Sequence, residues 1–204
     1  LYGSIEELSD ACQMKGMREA VSLLREKIRE GARIRIIGDY DIDGVNATHI
    51  LITALRRAGA DADTVIPDRL KDGYGINEHL IGNAKEAGID TIVTCDNGIA
   101  AVQEIAYAKG LGMTVIVTDH HDIPYREEAD GSRTTILPPA DVIVNPKQAD
   151  CPYPFKKLCG AAVAWRLAEV LYREEGIPRE EFLDLAEFAA VATIGDIVDL
   201  TGEN

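Results

Sequence analysis

The sequence predicts an α/β fold, a parallel β-sheet of about five strands flanked by helices with a C-terminal helical portion. Three observations carry that expectation. Apolar, β-branched runs recur at Ile34-Arg35-Ile36-Ile37, Ile92-Val93-Thr94-Cys95 and Val115-Ile116-Val117-Thr118. Their length suits strands, and their near-continuous apolarity suits strands covered on both faces. Segments of helical periodicity separate the runs, which is the pattern of βαβ units. Each run is also followed by carboxylates or imidazoles: Asp39, Asp41 and Asp43, then Asp96, then Asp119-His120-His121. Open α/β sheets bind ligands outside the carboxyl ends of their strands, so this pattern predicts one polar pocket there.

Taken in order, Met17, Val21, Leu24 and Ile28 recur at helical spacing, and Gly31 ends that helix. Arg33 to Gly38 reads as a buried strand. Val45 to Ala58 is a helix carrying Ile50, Leu51, Ala54 and Leu55 on one side, closed by Gly59. Ala62 to Ile66 is a short strand, and Asn77 to Ala87 a helix capped by Asn77 and ended by Gly88. Thr91 to Cys95, Ile99 to Lys109 and Thr114 to Thr118 continue as strand, helix and strand. From His121 to Ala140 the pattern lapses into a polar loop with Pro124, Gly131, Pro138 and Pro139, and Asp141 to Val144 reads as one more strand. Cys159 to Tyr172 and Arg179 to Ile194 are helical, a pair expected to pack beside the sheet. Nothing resembles a flexible linker, so the 204 residues are read as one domain.

With 46% hydrophobic and 27% charged residues, the composition is that of an ordinary globular protein. No apolar stretch reaches the length of a membrane span, and the first residues lack the pattern of a signal peptide. Leu1 is not a natural start, so the true N-terminus is expected upstream. Cys12, Cys95, Cys151 and Cys159 form no C-x-x-C pair, and free thiols in a reducing cytoplasm are expected. The formal net charge of −14 argues against direct phosphate binding unless cations intervene.

Cations are what the carboxylates demand. In Asp39-Tyr40-Asp41-Ile42-Asp43-Gly44, acids at alternate positions of an extended segment would point the same way and repel one another. Gly44 would then let the chain turn into the next helix. Asp119-His120-His121 adds imidazole, which beside carboxylates suits Mn²⁺, Zn²⁺ or Co²⁺. Adjacent histidines at a strand end point to opposite sides, so one is expected to hold a metal and the other to meet substrate phosphate or orient a neighbour. Asp96, at a strand end before Asn97-Gly98, suits a bridge between two ions, and Asp196 after an apolar helix is a further ligand. His49 and His79 have no acidic company and are read as structural. Cys95 is read as packing, and Asp199 is left out of the site. Arg69 and Tyr74 are candidate substrate contacts, a cation for phosphate and a ring for stacking.

Asp39-Tyr40-Asp41-Ile42-Asp43-Gly44, Asp96-Asn97-Gly98-Ile99, Asp119-His120-His121 and Gly195-Asp196 resemble the four ordered motifs of the DHH phosphoesterase superfamily. Ile66-Pro67-Asp68-Arg69, Gly73-Tyr74-Gly75, Asn145-Pro146, Leu158 to Val163 and Asp199 to Asn204 are similar, within it, to bacterial single-strand-specific DNA exonucleases. The resemblance implies two divalent ions, Mn²⁺ foremost with Mg²⁺ as the alternative, held by Asp41, Asp43, Asp96, His120 and Asp196. Asp96 would bridge them, Asp39 would be a ligand or hold a coordinated water, and His121 would lie nearest the scissile phosphate. Asp39, Asp96, His120 and His121 would thus be the catalytic set. The implied activity is 5′-to-3′ hydrolysis of single-stranded DNA to 5′-mononucleotides, in DNA repair and recombination.

Two alternatives stand beside it: a phosphodiesterase of oligoribonucleotides or cyclic dinucleotides, and a non-catalytic replication scaffold. A haloacid-dehalogenase reading of Asp41-Ile42-Asp43-Gly44-Val45 gives no role to Asp119-His120-His121 and is set aside. The resemblance implies that residues 1–204 are the DHH domain of a longer protein with DHHA1-type and OB-fold domains beyond it. A single-strand-binding protein or helicase would be engaged through those domains, and no membrane. The chain departs from the pattern at Ile37, where related pyrophosphatases place a metal-binding histidine, and at Ile42 and Ala162, where smaller residues are common.

Overall fold

The computed structural model describes residues 4–68 and 75–204. Five parallel strands form its sheet: β1 (Arg33–Ile37), β2 (Asp61–Val65), β3 (Thr91–Cys95), β4 (Thr114–Thr118) and β7 (Val142–Val144), in the order β2-β1-β3-β4-β7. The expected α/β class and strand set are therefore observed. The chain leaves β1 toward β2, then returns past β1 to place β3 on its other side. Right-handed crossovers from these opposite directions put helices on opposite faces. The reversal lies between β1 and β3, and there the carboxyl ends of adjacent strands leave a crevice.

On one face pack α1 (Met17–Glu30), α2 (Ile42–Arg57), α5 (Gly160–Glu175), α6 (Arg179–Leu183) and α7 (Ala186–Gly195), over Ile34, Ile36, Val93, Cys95 and Ile116 of the sheet. On the other lie α3 (Glu78–Glu86) and α4 (Val102–Gly110), over Ile37, Ile92, Val115 and Val117. The period-two alternation of each strand thus feeds two cores. α5 is the most buried helix, with Ala161, Ala164, Leu167, Ala168 and Leu171 fully covered between α2, α1 and α7. Alanine at 161, 164 and 168 lets the helices approach closely. Among the described residues no helix is long and apolar enough to cross a membrane. All four cysteines are free, and Cys95 is buried against Thr48 as packing.

Three local differences from the sequence reading have physical causes. α2 starts at Ile42 rather than Val45, because Asp41 caps it by accepting the Gly44 amide at 2.9 Å. Asp43 and Gly44 therefore belong to a helical first turn, and the Asp-x-Asp-x-Asp stretch is not one extended segment. The segment after His121 contains a hairpin of β5 (Tyr125–Glu127) and β6 (Arg133–Thr135) within the expected loop. Both strands are exposed throughout, so no apolar alternation marked them; they are held by their own pairing and by Arg133 stacked over the Tyr125 ring at 4.3 Å. The last helical stretch is broken into α6 and α7, which turn the chain so that Phe182 stacks on Trp165 at 4.5 Å and α7 reaches the mouth of the crevice.

The layered core sets an expectation. Leu51→Ala, at a fully buried α2 position, should lower stability by about 2–5 kcal/mol. Leu137→Ala, on the exposed loop, should stay within about 0.5 kcal/mol. Urea midpoints at unchanged m-value measure both, and equal losses would contradict this placement of the core.

Candidate metal centre

The crevice is assembled from elements far apart in sequence. β1 ends by delivering Asp39, fully buried, to its floor. Asp41 follows as the exposed cap of α2, and Asp43 in the first helical turn points back beneath it. Helix start and strand end meet so closely that a Cβ at Gly44 would lie 2.6 Å from the Asp39 carbonyl oxygen. Glycine at 44 permits this close approach.

Asp43 is gripped from the opposite side of the core. Its two carboxylate oxygens accept the backbone amides of Gly160 at 2.6 Å and Ala161 at 2.7 Å, at the N-terminus of α5. Those amides have no partner inside the helix, and the helix dipole favours a negative charge there. The sequence reading missed this contact, which joins residues 117 positions apart. Gly160 also makes room for Asp96, since a Cβ there would lie 2.6 Å from Asp96 Oδ1.

Asp96 leaves β3 with φ of +60°, the left-handed region that costs an L-residue about 1–2 kcal/mol. Its neighbours hold it there. Asn97 donates to the carbonyls of Ile37 at 3.0 Å and Cys95 at 2.8 Å and accepts the Ile76 amide at 3.2 Å. Thr94 Oγ1 donates to the Asn97 carbonyl, and Thr118 Oγ1 to the Thr94 carbonyl, both at 2.8 Å. The ends of β1, β3 and β4 are thereby tied together around the strained residue.

After β4, Asp119 turns away from the cluster and acts as a local organiser. Its Oδ1 accepts the His120 amide at 2.7 Å, the His121 amide at 3.1 Å and His121 Nδ1 at 2.8 Å, while Oδ2 accepts the Ile99 amide at 2.9 Å. Burial opposes its charge, yet the His121 ring and these amides hold its carboxyl below the usual carboxylate range. In return the Asp119 carboxylate raises His121 above its ordinary value. Sequence reading gave Asp119 no role; the signal was its place in the triplet, but only the fold shows where it faces.

His120 lies at the centre. Its Nε2 is 3.1 Å from Asp96 Oδ1, 3.5 Å from Asp43 Oδ2 and 3.8 Å from Asp196 Oδ2, and this buried nitrogen makes no hydrogen bond among the described residues. Ligand atoms gather into three overlapping sets, each within 4.8 Å: Asp39, Asp41 and Asp96; Asp43, His120 and Asp196; and Asp96, His120 and His121. Asp96 and His120 each belong to two sets. Asp196 reaches the second as the partly buried cap at the end of α7. Both histidines face the cluster, with ring centroids 4.5 Å apart, although opposite directions were expected of adjacent side chains. The His121 ring is the more open, 45% exposed against 9% for His120.

Electrostatics match this crowding. Asp96 is raised well above its ordinary value, first by burial and then by the charges of Asp43 and Asp41. Asp196 is raised by burial and Asp43, and Asp39 by burial, with the Tyr40 backbone amide opposing it. An orphaned imidazole nitrogen facing three carboxylates, all oxygen and nitrogen donors, fits divalent ions of borderline hardness.

The remaining predicted residues fall elsewhere. Arg69 and Tyr74 lie outside the described residues. His49 packs against Phe188 with ring centroids 4.3 Å apart at a tilt of 47°, and His79 contacts Asn83 at 3.2 Å. Asp199 pairs with Lys157 on the surface. Ile37 is fully buried in the α3–α4 core, so a position that holds a ligand in related pyrophosphatases here serves packing. Beside His121 a cleft of about 450 Å³ opens between Ile76, Gly98, Ile99, Glu104 and Asp122.

Comparison with known proteins agrees with this architecture. Residues 33–193 match the DHH family, N-terminal domain. The single-stranded-DNA-specific exonuclease RecJ of Bacillus subtilis (strain 168) is 46% identical over 204 residues, covering all of this chain and 24% of its own length. A crystal structure of exonuclease RecJ bound to manganese is 37% identical with a TM-score of 0.78, covering 93% of this chain and 45% of that one. RecJ of Thermus thermophilus in complex with Mn²⁺ is 35% identical with a TM-score of 0.73, covering 93% of this chain and 25% of that one. The chain thus spans about a quarter of the B. subtilis relative that it matches along its whole length. With residues 33–193 matched by the family and relatives similar over most of its length, the chain belongs to the DHH family.

Proposed function

We propose that residues 1–204 are the metal-holding DHH domain of a single-stranded-DNA exonuclease, which cleaves from the 5′ end and releases 5′-mononucleotides. One observation carries the reading: two donor sets, Asp39/Asp41/Asp96 and Asp43/His120/Asp196, meet around Asp96 and His120 at the switch point of the sheet. The identity to RecJ proteins supports the substrate, and the relatives' manganese supports Mn²⁺, with Mg²⁺ as the alternative. Two divalent ions would supply Lewis acidity and a nucleophile at neutral pH. Asp96 lies between the two donor sets and is the residue able to serve both.

The protein's own groups do the positioning. Asp119 holds His121 by Nδ1, which leaves Nε2 directed away from that bond. Raised by Asp119, His121 retains a proton at higher pH and can offer it from Nε2 to a phosphate oxygen or to the leaving oxygen. The open side of its ring faces the cleft past Ile99 and Glu104, where a nucleotide has room. Roles in DNA repair and recombination, and engagement of single-strand-binding or helicase partners, follow from the same reading.

The full-length protein with Mn²⁺ should digest 5′-labelled single-stranded DNA processively to mononucleotides. Cleavage of only short RNA or a cyclic dinucleotide would move the assignment to small-nucleotide phosphodiesterases, and silence on all three despite bound metal would indicate a scaffold. Asp41→Ala and His120→Ala should each reduce DNA cleavage by about 100-fold or more; near-normal turnover in either would refute the two-metal assignment.

Metal binding should also be visible in stability. A hundredfold excess of Mn²⁺ over its Kd stabilises by about 2.7 kcal/mol, on the order of 5–10 °C in Tm for a domain of this size. Asp96 and Asp196 have folded pKa values above their unfolded ones, so the metal-free protein loses stability as pH rises through that interval. Bound Mn²⁺ removes the loss, and the Mn²⁺-induced rise in Tm should therefore grow from pH 5 to pH 8. A rise independent of pH would contradict these carboxylates as the ligands.

Asp119→Asn removes the charge that orients His121. It should lower kcat by about 10–100-fold while Mn²⁺ affinity, followed by the same thermal shift, changes little. Equal losses in both would make Asp119 a metal ligand.

A further inference from the structure

Further along α5, away from the cation cluster, the helix borders a second polar cleft of about 290 Å³. Arg166 sits on its wall, 3% exposed in a helix otherwise buried through alanine, valine and leucine. By helical rise it lies about 9 Å along the axis from Gly160, and Arg173 about 20 Å. Arg166 Nη2 donates to the Ser9 carbonyl, and Nη1 lies 2.9 Å from Glu169 Oε2. Its Nε is buried with no hydrogen-bond partner among the described residues, and neither does Glu169 Oε2 have one, its approach to Nη1 lacking hydrogen-bond geometry.

Arg166 Nε is therefore a buried donor without a hydrogen-bond partner among the described residues, while Glu169 Oε2 is held beside it by its ion pair with Nη1. Around them the cleft is lined by Arg173 and Arg179. Arg173 gives one Nη2 bond to Cys12 Sγ at 2.7 Å, and Arg179 one to Glu6 Oε1 at 2.5 Å, so each guanidinium keeps further N–H groups. Glu6 and Asp10 temper the positive charge without cancelling the geometry, since Asp10 Oδ1 is engaged as the cap of the Ala11–Gln13 turn.

The guest these groups call for accepts from guanidinium N–H groups and donates to a carboxylate. An apolar molecule does neither, and a cation meets three arginines. A phosphate group carrying one proton does both, because its oxygens match the guanidinium fork and its P–OH can reach a carboxylate. We propose that this cleft is a phosphate-binding site, in which Arg166, Arg173 and Arg179 hold the oxygens and Glu169 accepts the P–OH. It is separate from the cation cluster and does not rest on the exonuclease reading. Burial holds the Glu169 carboxyl above its usual range, against the lowering charges of Arg166 and Arg173.

The test uses metal-free protein in chelator, so that the acidic cluster cannot recruit phosphate through a cation. Inorganic phosphate and, separately, a 5′-mononucleotide are titrated against chloride at matched ionic strength, read by thermal shift and calorimetry. Saturable stabilisation by phosphate beyond that of chloride is expected, weakened about tenfold in Arg173→Gln and Arg179→Gln, and abolished in Arg166→Gln. Tighter binding of the mononucleotide would identify its terminal phosphate as the natural source, and equal binding would identify the free ion. No saturable effect in the wild type, or an unchanged one in both rim variants, would show that the cleft holds only water. Because Arg173 and Arg179 are exposed at the rim, their variants decide the matter even if Arg166→Gln does not fold.

Discussion

The contact on which the architecture turns is the one between the Asp43 carboxylate and the first amides of α5. A helix buried as completely as α5 needs partners for the N–H groups of its first turn, and here an acidic side chain provides them. The same contact fixes a carboxylate that would otherwise be driven out to water by its acidic neighbours. Because α2 carries Asp43 and α5 carries the amides, the packing of these two helices and the position of the carboxylate are a single event. Gly44 and Gly160 are the residues that let backbone and carboxylates approach closely enough for it.

Around that contact the fold concentrates charge and strain. Asp39, Asp43 and Asp96 are each at most 1% exposed, and Asp96 also occupies a left-handed conformation. Such a cluster is stable only where the surroundings determine it more strongly than it resists. Asn97, Thr94 and Thr118 bind the strand ends, and Asp119 locks the following loop against Ile99. Asp39, Asp96 and Asp196, raised by burial and neighbouring charge, are the groups that would exchange protons for divalent ions, so the destabilisation of the metal-free site and its affinity for cations have one cause.

The α5 helix connects regions of different chemistry. Its N-terminus faces the acidic crevice, and its later turns carry Arg166 and Glu169 to a cleft of mixed charge under the Ile5–Glu7 and Ala11–Gln13 turns. Between them lies the apolar core with Leu167, Ala168 and Leu171. The two polar regions are thus kept apart by the interior of the protein.

Much of this was legible in the chain. The apolar runs gave the strands of the parallel sheet, helical spacing gave the helices between them, and strand ends marked Asp39, Asp96 and His120, because burial on two faces and ligand placement at carboxyl ends leave local patterns. The β5–β6 hairpin escaped, since exposed strands bury no alternate face. The start of α2 was displaced because the capping bond of Asp41 competes with the extended reading of alternate acids. What only the tertiary structure decided is which side chains meet. Asp43 faces amides 117 residues away, Asp119 turns from the cluster to its histidine, and Ile37 enters the opposite core. The reason is physical: periodicity and capping act over a few residues, whereas the direction of a buried carboxylate is set by donors that the packing of distant helices brings to it.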